Sequence, residues 1–201
     1  MSLSSRMVIV LTAVGLLSGG FLAGVGILTK ERIALNKKLE IENAIISVIP
    51  GSSESRLLYE EKDFAVYGAS DEAGNLQGYA LYTSGVGFQD KIVLMVGVAA
   101  DLSRIFSLTV LDQKETPGLG AKIASKPSFL VFWENKDFTQ PLRLRKPPAP
   151  TAEGLSPSEV NTITGATISS EAVLGIVNAA REKIRKLNEA GQLTIEGQNA
   201  K

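Results

Sequence analysis

Residues 7–28 form a run of 22 residues without a charge, bounded by Arg6 on one side and by Lys30, Glu31 and Arg32 on the other. As a helix, a run of that length covers about 33 Å at about 1.5 Å per residue, enough to cross the roughly 30 Å hydrocarbon core of a bilayer. A cleaved signal peptide has a shorter apolar core and a small-residue cleavage site, so the segment reads as a retained single-pass anchor. The chain has no Cys, which excludes a lipoprotein acylation site. Gly15 and Gly19, continued by Ala23, lie four apart, as do Gly20 and Gly24. Small residues at that spacing let another membrane helix approach closely, although glycine is frequent in membrane helices for no specific reason as well.

The rest of the chain is long enough for one domain. Lys and Arg together number 21, as do Asp and Glu. The balance points to no nucleic-acid partner and no anionic surface. Without Cys or His the chain can form no disulfide, no thiolate nucleophile, no Cys-ligated iron–sulfur cluster, no His-based triad and no His-based zinc site. If such a chain carries electrons it must borrow a cofactor, and a flavin is the economical candidate.

Residues 31–48 continue as a helix with a broad apolar face and end at Pro50-Gly51. Residues 52–55 read as loop. A strand at 64–68, a turn at 71–75 carrying Gly74-Asn75 and a strand at 76–83 predict a β-hairpin. The Gly-rich stretch 84–88 reads equally as a loop bordering a cofactor and as a plain strand connection. Residues 91–99 are an apolar run suited to a buried strand, and 105–111 alternate apolar and polar, with a turn at 101–104. The second strand delivers the chain to Glu115-Thr116-Pro117-Gly118-Leu119-Gly120, which by its Pro-Gly pair is at least a turn. Residues 127–133 predict a short helix with its aromatics, Trp133 included, in the core rather than stacked on a ligand. Residues 141–159 predict a strand and a Pro-rich connection, with its Lys and Arg on a solvated edge. There is no internal repeat.

The last helix begins near Thr164-Gly165-Ala166-Thr167-Ile168-Ser169-Ser170. Val173, Ile176, Val177, Ala180, Ile184 and Leu187 make one apolar stripe at helical spacing, while Asn178, Arg181, Lys183, Arg185 and Lys186 occupy the other face. Ser169 or Ser170 is a natural N-cap. A helix N-terminus with free N–H groups favours phosphate. By itself, however, Thr-Gly-Ala-Thr is also no more than a capped helix start.

Thr-Gly-Ala-Thr before a helix, preceded about 50 residues earlier by Glu-Thr-Pro-Gly-Leu-Gly, resembles the FMN-binding domain in the G subunit of the Rnf electron-transport complex. A similar motif occurs in the C subunit of the sodium-translocating NADH:quinone reductase. The resemblance implies FMN joined through a phosphoester to Thr167, with Thr164, Gly165 and Ala166 forming the attachment turn. It further implies that Glu115, Thr116, Gly118, Leu119 and Gly120 lie near the flavin, the glycines allowing close backbone approach. Lys122 reads as a solvated surface residue rather than a phosphate partner. Asn161 stands where the family pattern has Asp.

The expected fold is α+β: one transmembrane helix, then a single FMN-binding domain with an antiparallel sheet and packed helices. The expected division is a short tail at 1–6, the transmembrane helix at 7–28, a juxtamembrane helix at 29–50, the FMN-binding domain at 51–188 and a mobile tail at 189–201. The resemblance implies an electron-relaying subunit of an ion-translocating ferredoxin:NAD oxidoreductase, with no acid–base catalytic residues and no metal site of its own. Its partners would be other membrane subunits, met through the Gly-rich helix, and a flavin transferase during maturation. Lys30, Arg32, Lys37 and Lys38 outnumber Arg6, which by the positive-inside rule puts the domain in the cytoplasm. The resemblance implies the cytoplasmic membrane with the domain on its outer, periplasmic side, and long domains translocate largely regardless of charge. Three other readings stand: the flavin subunit of a sodium-pumping NADH:quinone reductase, a stand-alone flavin carrier, and a non-redox anchored scaffold in which Thr167 is only a cap. Quinone-reductase chains tend to be longer, which favours the first reading over that rival.

Overall fold

The computed structural model describes residues 2–193 and divides the chain into two units, Met1–Glu40 and Ile41–Lys201. Helix α1 runs over Leu3–Val48 and takes in residues 3–6, expected as tail. In the first unit its apolar side chains are exposed all round, Leu16, Phe21, Leu22 and Leu28 among them. Among the described residues this is the one helix long and apolar enough to cross a membrane. An all-round apolar surface is what a lipid-facing helix carries.

In the second unit, five strands form an antiparallel meander in the order β1 (Glu54–Glu61), β2 (Phe64–Ser70), β3 (Leu76–Val86), β4 (Lys91–Ala99) and β5 (Ile105–Asp112). Every residue of β4 after Lys91 is buried, because both faces of the sheet are covered. On one face Met95 joins Ala69 and Ala80 beneath Ala44, Ile45, Val48 and Ile49 from the end of α1. Gly97 permits that approach: a Cβ there would lie 2.1 Å from the Val48 carbonyl oxygen. On the other face Leu81, Leu94, Val96 and Ile105 pack against Phe129, Trp133, Phe138 and helix α2 (Thr167–Glu189). Trp133 is a core residue, edge-on to Phe129 at 5.7 Å between ring centroids.

The hairpin, the buried strand and the α2 stripe stand as the sequence predicts. β1 went unread because an edge strand carrying Glu54, Arg56, Glu60 and Glu61 lacks the apolar alternation that marks a strand. β3 continues to Val86, so the Gly-rich stretch is mostly strand, and its turn closes with the Gly87 N–H donating to the Asp90 carbonyl at 2.8 Å. The 141–159 segment yields β6 (Arg143–Arg145) and the start of β7 (Glu159–Asn161), a parallel pair too short to show any periodicity. Two residues of the polar face of α2 are half-buried and tied to backbone rather than only solvated. Asn178 takes both the N–H and the carbonyl of Leu142, at 2.9 and 3.0 Å, and Arg181 donates to the Phe138 carbonyl at 2.8 Å. The expected tail is ordered at its start: α2 closes on Gly191 (φ 68°) and Leu193 is buried. Residues 194–201 and Met1 lie outside the described residues.

Candidate functional site

Both motif segments fold into the same kind of turn. The Leu119 N–H donates to the Thr116 carbonyl at 3.2 Å with Gly118 at φ 76°, and the Ala166 N–H donates to the Ile163 carbonyl at 3.0 Å with Gly165 at φ 83°. A positive φ only at the third residue of an i to i+3 turn defines type II, where glycine avoids the Cβ penalty. The turns face each other: a Cβ on Gly165 would lie 3.4 Å from Leu119 Cδ2.

Glu115 ties them together. Its carboxylate, 4% exposed, accepts the N–H groups of Phe88 and Gln89 on Oε1 at 2.8 and 3.1 Å, and the Ser169 hydroxyl on Oε2 at 2.6 Å. Gly87 and Gly120 close around it, since a Cβ on either would come within 2.8 Å of a carboxylate oxygen. The Gln89 side chain also donates to Thr116 Oγ at 2.8 Å. Three distant segments, the β3–β4 turn, the 115–120 turn and the first turn of α2, thus converge on one buried anion.

The start of α2 differs from the expected cap. The helix begins at Thr167, with Ala166 at the N-cap position and no side-chain cap. Ser169 is turned inward to Glu115. The Ser170 hydroxyl donates to the Ala166 carbonyl at 3.0 Å and accepts the Ile163 N–H at 3.1 Å, bracing the turn from inside. The first helix hydrogen bond is donated by Ser170 to Ala166, so the amides of Thr167, Ile168 and Ser169 remain available. Those three N–H groups at the positive end of a helix dipole suit a phosphate.

These elements enclose a cleft of about 120 Å³ lined by Phe88, Glu115, Thr116, Leu119, Gly120 and residues 165–169. Of the residues singled out in the sequence, Glu115, Thr116, Leu119, Gly120, Gly165, Ala166 and Thr167 meet there. Gly118 and Thr164 shape the turns without lining the cleft. Thr167 is half-buried, and Lys122 is exposed and absent from the wall. Sequence reasoning left open whether the 84–88 stretch borders the site, and Phe88 of that stretch does line the cleft; Ile168 was missed, and Ser169 was read only as a cap. Phe88, Leu119 and Ile168 are 59%, 47% and 56% exposed, an apolar rim at the mouth of the cleft where an aromatic ring can lie.

Amide donors suited to a phosphate lie beside an apolar rim suited to a flat ring, and the chain is similar to proteins that bind such a ligand. Residues 87–182 match the FMN-binding domain family. The sheet and α2 resemble the crystal structures of Shewanella oneidensis NqrC and of the C subunit of the Na(+)-translocating NADH-quinone reductase from Parabacteroides distasonis. The first has a TM-score of 0.53 at 20% identity, over 72% of this chain and 73% of that one; the second has 0.52 at 24%, over 67% and 64%. At such identities the likeness is one of fold. The chain is 36% identical over 114 residues to the G subunit of the ion-translocating oxidoreductase complex of Methanosarcina acetivorans, covering 57% of this chain but only 55% of that protein's length. It is 28% identical over 175 residues to the G subunit of the proton-translocating ferredoxin:NAD(+) oxidoreductase complex of Clostridium ljungdahlii, over 87% and 88% of the two chains. The resemblance to the Rnf G subunit that the two motifs carry is therefore borne out across most of the chain, in a fold shared with the C subunit of the quinone reductase.

Proposed function

We propose that this chain is the membrane-anchored flavoprotein subunit of an ion-translocating ferredoxin:NAD oxidoreductase, and that it relays electrons through one FMN esterified to Thr167. The observation that carries this reading is the position of Thr167. It is the first residue of α2, half-buried in the wall of a cleft that also has helix amides and an apolar rim. When bound, FMN supplies the redox chemistry, accepting and releasing electrons at its ring.

The chain's own part is to hold and aim. Thr167 would hold the flavin phosphate as an ester through its hydroxyl oxygen. The amides of Thr167, Ile168 and Ser169 would face its phosphodiester charge, and among the described residues no Lys or Arg lines the cleft to share that task. Phe88, Leu119 and Ile168 would offer the ring an apolar surface. The cleft is far smaller than the roughly 300–1,000 Å³ of sites that retain a ligand by burial. A tether then replaces affinity, by fixing a high local concentration.

In this reading α1 anchors the domain in the cytoplasmic membrane beside other subunits of the complex, with the domain on the outer face, and the isolated chain has no turnover of its own. The experiment is Thr167→Ala in the assembled complex. The complex should still assemble, while electron flow between reduced ferredoxin and NAD falls to background. Wild-type flow through the variant complex would overturn the proposal.

A further inference from the structure

Asn161 closes β7 and is 3% exposed. Its carboxamide meets one backbone residue twice: the Ala149 N–H donates to Oδ1 and Nδ2 donates to the Ala149 carbonyl, both at 2.8 Å. Only an amide in this orientation satisfies both, because the reverse sets donor against donor and acceptor against acceptor. The next residue repeats the device, with Thr162 Oγ1 donating to the Arg145 carbonyl at 2.8 Å. Beyond the attachment turn, Glu171 of α2 pairs with Lys146 Nζ at 2.6 Å. The strap 145–149 is thus held at three points by residues flanking the turn 163–166 on both sides.

We infer that Asn161 is a positioning residue for flavin attachment: a donor–acceptor clasp that fixes the strap behind the turn carrying Thr167. A carboxylate at 161 takes no part in the attachment chemistry of this chain. The inference rests on the covalent reading above. An ionised Asp at this position has two acceptors and no donor, so one oxygen would face the Ala149 carbonyl at hydrogen-bond distance with no proton between them. What position 161 supplies is shape.

The test uses the full-length chain in detergent with a purified flavin transferase and flavin dinucleotide. Attachment is followed by intact mass, and Tm is measured across pH for wild type, Asn161→Asp, Asn161→Ala and Thr162→Val. Losing one or two buried hydrogen bonds should slow attachment about five- to tenfold in each variant. For Asn161→Asp, both the rate relative to wild type and the Tm should recover as pH falls. Protonation restores the missing donor, so the folded state binds the proton more tightly than the unfolded state, and stability declines as pH rises. Faster attachment in Asn161→Asp with unchanged Tm would make the carboxylate a chemical participant and overturn the inference. So would wild-type rates in Asn161→Ala and Thr162→Val, which reduce the clasp to a stability device. Should Asn161→Ala not fold, Thr162→Val tests the same strap through a smaller change. A wild type that never gains mass fails the covalent reading, and the positioning role with it. The Tm profile of Asn161→Asp still reports the clasp separately, so the two failures are told apart.

Discussion

At the scale of the residue, Glu115 decides whether the site exists. Truncating it to Ala leaves the amides of Phe88 and Gln89 and the Ser169 hydroxyl without their acceptor. Hydrogen bonds to a buried charged group are individually worth about 1.5–3 kcal/mol, so Glu115→Ala should lose roughly 2–5 kcal/mol in urea unfolding. Glu115→Gln keeps an acceptor oxygen and should lose about half as much or less; equal stability of wild type and Glu115→Ala would contradict the clasp. Lys136 shows the opposite balance. It is 6% exposed, with one long bond from Nζ to the Ser156 carbonyl at 3.4 Å, and burial lowers its pKa. A depressed lysine binds its proton less tightly when folded, so its penalty is full at neutral pH and shrinks as pH rises toward the alkaline range. Lys136→Met should therefore raise Tm at pH 7, by about 2–4 °C for each kcal/mol recovered, and a lower Tm would refute it. The sequence identified Glu115 as a site residue but not its task, because its partners lie 26, 27 and 54 positions away. Spacing carries no record of such contacts.

At the scale of the element, α2 separates what periodicity reveals from what it hides. Its buried stripe was legible because each of its residues faces the core at helical intervals. Its cap was not, because Ser169 and Ser170 are drawn inward by Glu115 and Ile163 rather than back over the helix end. Two glycines give a paired test by thermal unfolding. Gly175 has open space where a Cβ would go, and Gly175→Ala should stabilise the helix by roughly 0.5–1 kcal/mol. Gly165 sits at φ 83°, and Gly165→Ala should cost about 1–2 kcal/mol and slow flavin attachment. The same sign for both would contradict the type II turn. Of the short β6–β7 pair, β6 is the strand expected within 141–159, whereas β7 was illegible because three residues show no period.

At the scale of the whole molecule, the apolar helix is the most legible part of the chain, since length and missing charge alone make it long and apolar enough to cross a bilayer. Its direction is not, because the flanking cations and the family resemblance point to opposite sides. The absence of Cys makes the question simple to answer: Glu72→Cys, in the exposed β2–β3 turn, would be the only thiol. An impermeant maleimide should label it in intact spheroplasts, and labelling only after lysis would put the domain in the cytoplasm.

The most direct measurement is the intact mass of the full-length chain made with a flavin transferase, beside Thr167→Ala and Thr164→Ala. Attachment at Thr167 predicts a gain of one FMN less one water in the wild type and in Thr164→Ala, and none in Thr167→Ala. An unchanged wild-type mass, or a gain that survives in Thr167→Ala, would contradict it.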